Sequence, residues 1–151
     1  MILGVHHTAI AVSNIEEGMA FYCDVLGFEL VMNADIPSGI DVMTDALGVP
    51  DSEFKVRMIK KGNSILEMFE FGQSEAGDVA RPPNKIGITH IALCTDDPES
   101  DYAMLEKAGV VFNAALMGGN PDRFAYGRDP FGNVIELLEH KPGAPDGRDF
   151  S

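Results

Sequence analysis

The chain has 151 residues, 45% hydrophobic and 23% charged, which suits one compact domain or two small halves sharing a core. A net charge of −13 argues against nucleic acid and anionic membranes as partners, since both reward clustered cations; with only 11 Lys and Arg, an anionic substrate would need locally placed ones. No run approaches the ~20 apolar residues of a membrane span, no basic and apolar leader opens the chain, and Cys23 and Cys94 are too few to staple a fold, so a reduced cytoplasmic protein is expected.

The first predicted strand is Val5–Val12. Side chains on a strand alternate between faces, so His7 lies with Val5, Ala9 and Ala11 while Ile10 and Val12 point the other way. Ser13-Asn14-Ile15-Glu16 offers a capping box, and Ile15, Met19, Tyr22, Val25 and Leu26 recur at helical spacing up to a stop at Gly27. Phe28 to Met32 reads as a strand. From Asn33 to Ser52 the pattern breaks around Pro37, Gly39, Gly48 and Pro50, with a short helix possible over Ile40 to Leu47. This stretch is either an insertion capping the sheet or an apolar lid over a pocket. Phe54 to Ile59 and Ser64 to Phe71 form a hairpin around Lys61-Gly62-Asn63, and Gly72 to Lys85 reads as a linker.

The same order then returns. The strand Ile88–Thr95 places His90 with Ile88, Ala92 and Cys94, and Ile91 and Leu93 on the other face. Asp96-Asp97-Pro98-Glu99 marks a helix start, Met104, Leu105 and Ala108 form its apolar stripe, and Gly109 ends it. Val110 to Phe112 is strand-like, Met117 to Pro121 a loop, Arg123 to Arg128 a strand, Asp129-Pro130-Phe131-Gly132-Asn133 a turn, and Val134 to Glu139 the last strand. Both halves thus read strand–helix–strand–strand–strand, a duplication whose unequal spacing is absorbed mostly by the 33–52 insertion.

Within that repeat each last strand carries a glutamate on an apolar face. Glu67 lies with Ile65, Phe69 and Phe71, and Glu136 with Val134 and Leu138. A carboxylate there is costly unless it is paired or binds a cation. One such glutamate, or one histidine on a strand, is ordinary structure. Two repeat-related His and Glu sets favour a metal site. His6, on the other face of its strand, and His140 read as structural. Arg57, Arg123, Tyr126 and Arg128 are candidates to hold a substrate carboxylate or phosphate, with surface salt bridges the plainer role for the arginines.

The segments His-Thr-Ala-Ile-Ala-Val from His7, Phe21-Tyr22 through Leu26-Gly27-Phe28, Thr89-His90-Ile91-Ala92, and Asp129-Pro130-Phe131-Gly132-Asn133-Val134-Ile135-Glu136-Leu137 resemble the vicinal oxygen chelate superfamily. That group takes in glyoxalases, methylmalonyl-CoA epimerases, extradiol dioxygenases and fosfomycin or bleomycin resistance proteins. The resemblance covers roughly residues 4 to 140. It implies an α+β fold in which two βαβββ modules form a curved mixed sheet around a metal cleft, within a homodimer. One domain over 1–151 would hold a first module at about 4–72, a linker at about 73–86, a second module at about 87–140 and a tail at 141–151.

By the same resemblance the metal ligands are His7, Glu67, His90 and Glu136, holding Zn, Ni, Co, Mn or Fe, all suited to a nitrogen and carboxylate set. The activity implied is that of a glyoxalase-like or epimerase-like lyase or isomerase acting on a small oxygenated carbonyl compound. The cation would stabilise an enediolate while Glu136 or Glu67 carries the proton. An extradiol-type Fe(II) dioxygenase, with two His and one carboxylate as ligands, is the alternative enzyme. A metal-free drug-binding protein is the alternative of another class. The turn at Asp129 departs from the His-Pro-Lys form of methylmalonyl-CoA epimerases, and no cationic cluster marks a glutathione or CoA site.

Overall fold

The computed structural model describes residues 1–73, 81–119 and 123–140. Part of the expected linker (74–80), the Asn120-Pro121 end of the expected loop and the 141–151 tail lie outside the described residues. The chain forms two compact units, Met1–Gly77 and Asp78–Ser151.

The first unit contains strands β1 (Thr8–Ala11), β2 (Glu29–Ile36), β3 (Phe54–Lys61) and β4 (Ser64–Phe71), with helices α1 (Ile15–Met19) and α2 (Asp41–Leu47). Its sheet has the order β1-β4-β3-β2, with β1 parallel to β4 and the other pairs antiparallel. The second contains β5 (Ile91–Thr95), α3 (Pro98–Lys107), β6 (Val111–Phe112), β7 (Phe124–Arg128) and β8 (Val134–Glu139), in the matching order β5-β8-β7-β6. Each unit is therefore a four-stranded mixed sheet with the expected strand–helix–strand–strand–strand order.

In the first unit Phe54, Val56 and Phe69 form a buried cluster on one sheet face, and the other face packs on the helical segment. Ile10, Val12, Ile59, Leu66 and Met68 pack with Ile15, Tyr22 and Leu26 of the helical segment, each aliphatic side chain contributing about 1.5–3 kcal/mol by leaving water. After α1 the chain continues as a π-helical segment, Ala20–Val25, in which the Leu26 N–H bonds to the Phe21 carbonyl at 3.1 Å. The wider turn buries Phe21 beside Tyr22 and leaves Val25 exposed, contrary to the regular helical spacing. Gly27 closes the segment at φ +72°.

Several boundaries differ from the sequence expectation. β1 begins at Thr8 and β5 at Ile91, so His7 and His90 stand just ahead of their strands. Thr8 pairs with Leu66 and Ile91 with Ile135, and each partner strand starts only one or two residues before that point, so the ladder runs out. β2 runs on to Ile36, through the first four residues of the expected insertion, because Asn33 to Ile36 pair with Arg57 to Phe54. Asn14, rather than Ser13, caps α1, accepting from the Glu16 and Glu17 N–H groups at 2.9 and 3.0 Å.

A carboxylate completes that cap. Glu70 of β4 accepts the Ile15 N–H at 2.5 Å and pairs with Lys55 at 3.0 Å. Burial pushes its pKa up, but the Ile15 N–H and Lys55 ammonium outweigh it and hold the carboxyl below its ordinary value. A depressed folded-state pKa gives stability that is present above the unfolded value and lost as pH falls through the folded one. Glu70→Ala is expected to lower stability by about 1 kcal/mol at pH 7. The gap to wild type should close under strong acid, as read by urea denaturation at the two pH values.

The second unit meets the sequence reading closely. Asp97 caps α3, Pro98 occupies its first turn, and Leu105 is its buried contact. Gly127 is required in β7, because a Cβ there would lie 2.8 Å from the Val111 carbonyl oxygen. The turn before β8 is held by buried Asp129, whose Oδ1 accepts the Phe131 and Asn133 N–H groups at 3.0 and 2.7 Å.

Candidate metal centre

The two units place a histidine and a glutamate in the same arrangement. In the first, Ala9 of β1 pairs with Glu67 of β4, and His7 stands two residues ahead of Ala9. In the second, Ala92 of β5 pairs with Glu136 of β8, and His90 stands two residues ahead of Ala92. The outcome is one geometry twice: His7 Nε2 lies 3.1 Å from Glu67 Oε2, and His90 Nε2 lies 3.1 Å from Glu136 Oε2. The histidines are about one-third exposed and the carboxylates mostly buried.

The far nitrogen of each ring is held by the preceding residue. His6 Nδ1 lies 2.8 Å from His7 Nδ1, and Thr89 Oγ1 lies 2.8 Å from His90 Nδ1. Each partner can accept an Nδ1 proton, the tautomer that turns an Nε2 lone pair toward the carboxylate. His6 is thus a neighbour of the candidate ligand, because residues 6 and 7 precede the strand and its alternation. The repeat offered the signal for both holders: each is the residue before the aligned histidine.

This donor set fits a divalent cation. Two donors on one ion at bonds of about 2.1 Å stand roughly 3.0 to 3.4 Å apart in octahedral or tetrahedral geometry, and both observed pairs fall there. Outer hydrogen bonds that fix the ring are the usual accompaniment of ligating histidine. Among the described residues, no three His, Cys, Asp or Glu side chains gather as one group.

The units differ around the glutamates. Across the strands Glu136 faces Tyr126, whose ring stands edge-on to His90 at 5.2 Å. The Tyr126 phenol is pushed up to about 12, chiefly by its hydrogen bond to Glu136, with burial and the carboxylate's charge adding. Glu67 faces Met58, which has no proton to donate. The arginines are engaged elsewhere. Arg57 pairs with Asp35 at 2.7 Å, on the opposite sheet face from Glu67. Arg123 bonds Glu139 at 2.6 Å and also Glu99, and Arg128 donates to the Gly132 and Arg81 carbonyls at 2.6 Å.

On the Glu67 face the first unit also has a partly open cavity of about 270 Å³. β2, β3 and β4 form its floor, and Met43, Ala46 and Leu47 of α2 its wall. Part of the expected insertion therefore lies over a pocket.

The family model for the glyoxalase/bleomycin resistance protein/dioxygenase superfamily matches residues 4–137, and the chain belongs to that superfamily. It is 28% identical over 138 residues, covering 89% of this chain and 95% of the relative, to an uncharacterized protein of Escherichia coli. It is 29% identical to a lactoylglutathione lyase of Neisseria meningitidis, covering 91% of each chain. Its fold matches a glyoxalase family protein from Bacillus cereus with TM-score 0.80 at 21% identity, over 92% of this chain and 95% of that one. No helix among the described residues is long and apolar enough to cross a membrane.

Replacing Glu136 with Gln is expected to bring the Tyr126 phenol down from about 12 toward its ordinary 10.0. The phenolate absorbance of an alkaline titration, read against Tyr126→Phe, checks this.

Proposed function

We propose that this chain is a divalent-metal-dependent lyase or isomerase of the glyoxalase kind, acting on a small oxygenated carbonyl compound, with His7, Glu67, His90 and Glu136 as the metal ligands. The observation that carries the reading is the duplicated His–Glu pair, with the same spacing, register and 3.1 Å separation in both units. The lactoylglutathione lyase relative supports it. A divalent cation held by these residues supplies Lewis acidity to a carbonyl oxygen, which makes the neighbouring C–H more acidic.

The protein's own part is to hold the donors and to move that proton. Tyr126 donates to Glu136 and fixes it as a ligand. Glu67 has no such partner in Met58, so its carboxylate is the one suited to take a proton from one carbon and return it to the next. His6 and Thr89 hold the imidazoles in place.

Elemental analysis after metal-replete expression is expected to find stoichiometric divalent metal in the wild type and its loss in His90→Ala and Glu136→Ala. Metal-free wild type would overturn the reading. Two His and one carboxylate on Fe(II) would favour the dioxygenase instead. In metal-loaded protein, Glu67→Gln should retain metal through its amide oxygen yet slow exchange of hydroxyacetone's carbon-bound protons with deuterated solvent by about a hundredfold. Unchanged exchange removes Glu67 from that role.

A further inference from the structure

The cavity beside Glu67 has a chemical character that the metal site alone does not require. Its floor and wall are apolar, formed by Ile36, Phe54, Val56 and Phe69 of the strands with Met43 and Leu47 of α2. Among the described residues, Glu67 is the one acidic or basic side chain lining it. Three cations of this unit have protein partners of their own: Lys55 on Glu70, Arg57 on Asp35, and Lys61 on the Leu26 carbonyl. Lys60 is on the Glu67 face but outside the lining, paired in register with Ile65. An apolar wall gives an anionic group no donor to replace its water, and the net charge of −13 opposes one further.

Size sets the other limit. A dry apolar cavity of roughly 150 Å³ accepts benzene, so about 270 Å³ has room for a substituted ring or a branched alkyl chain. Met43 and Leu47 are each partly solvent-exposed, which leaves a route in past α2.

We propose that the cavity walled by α2 holds an uncharged alkyl or aryl substituent of the substrate, in place of a glutathione-like or other anionic group. This rests on the metal-site reading for where the substrate's oxygens go, and on the cavity alone for what its tail is.

The test uses the full-length, metal-free chain labelled with ¹³C in its methionine methyl groups. Toluene is expected to shift the Met32 and Met43 signals saturably while Met104 and Met117 stay in place, and glutathione at the same concentration should move none of them. Ala34→Phe adds a ring to the cavity floor from edge strand β2, and Ala46→Leu fills it from α2. Each should weaken the toluene response at least tenfold with an unchanged circular dichroism spectrum. A silent wild type, an equal response to glutathione, or a full response in both folded variants overturns the proposal.

With metal loaded, straight-chain hydroxamic acids present two adjacent oxygens. Their affinity should rise about fourfold per methylene until the cavity is full. Constant affinity along the series overturns the cavity's role in substrate choice. A positive toluene response with no hydroxamate binding at any length overturns the metal reading and supports the apolar cavity.

Discussion

The register of one parallel strand pair, set twice, is the constraint on which the rest depends. Ala9 opposite Glu67 and Ala92 opposite Glu136 put each carboxylate beside the histidine two residues upstream. A slip of one residue would turn every side chain of the strand to the other face. In the first unit, Glu67 would then enter the layer now formed by Leu66, Met68 and Ile15, and Met68 would leave it. A carboxylate without a partner in such a layer costs several kcal/mol. The hydrophobic core therefore enforces the spacing of the polar pair.

The two pairs share one geometry and differ in their surroundings. Tyr126 and Met58 occupy the same position opposite the two glutamates, yet one carries a hydrogen-bond donor and the other a thioether. Thr89 and His6 do the same outer task with different chemistry. The insertion sits in the first unit, where α2 walls a cavity on the Glu67 face. The restrained carboxylate lies in one unit and the less restrained one, beside an apolar cavity, in the other.

What the sequence made legible was local or repeated. The span of β4 and β8, the Asp97 cap and Pro98 start of α3, and the stop at Gly27 all follow from alternation, capping chemistry and left-handed backbone. The His and Glu positions followed from comparing one half with the other. Boundaries set by a distant partner did not show. β1 starts where β4 runs out, and polar Asn33 and Asp35 are drawn into β2 because Arg57 and Lys55 stand opposite them. Phe21 was missed because a regular 3.6-residue period cannot register the extra residue of a π turn.

The arginines of the sequence reading all have structural partners in the fold. From sequence, Arg57, Arg123 and Arg128 were among few cations in an acidic chain and so natural anchors for an anion. In the fold each closes a structural gap: Arg57 ties edge strand β2 to β3 through Asp35, Arg123 joins the end of β8 to α3, and Arg128 caps carbonyls at Gly132 and Arg81. Freeing Arg123 for a ligand would take a donor from the mostly buried Glu139 carboxylate, and freeing Arg128 would take one from two carbonyls, a cost that precedes any ligand contact. An apolar group entering a preformed apolar cavity meets no such cost. In a chain with this charge balance, specificity through shape and apolar burial is the physically less expensive course, and the cavity beside Glu67 is built for it.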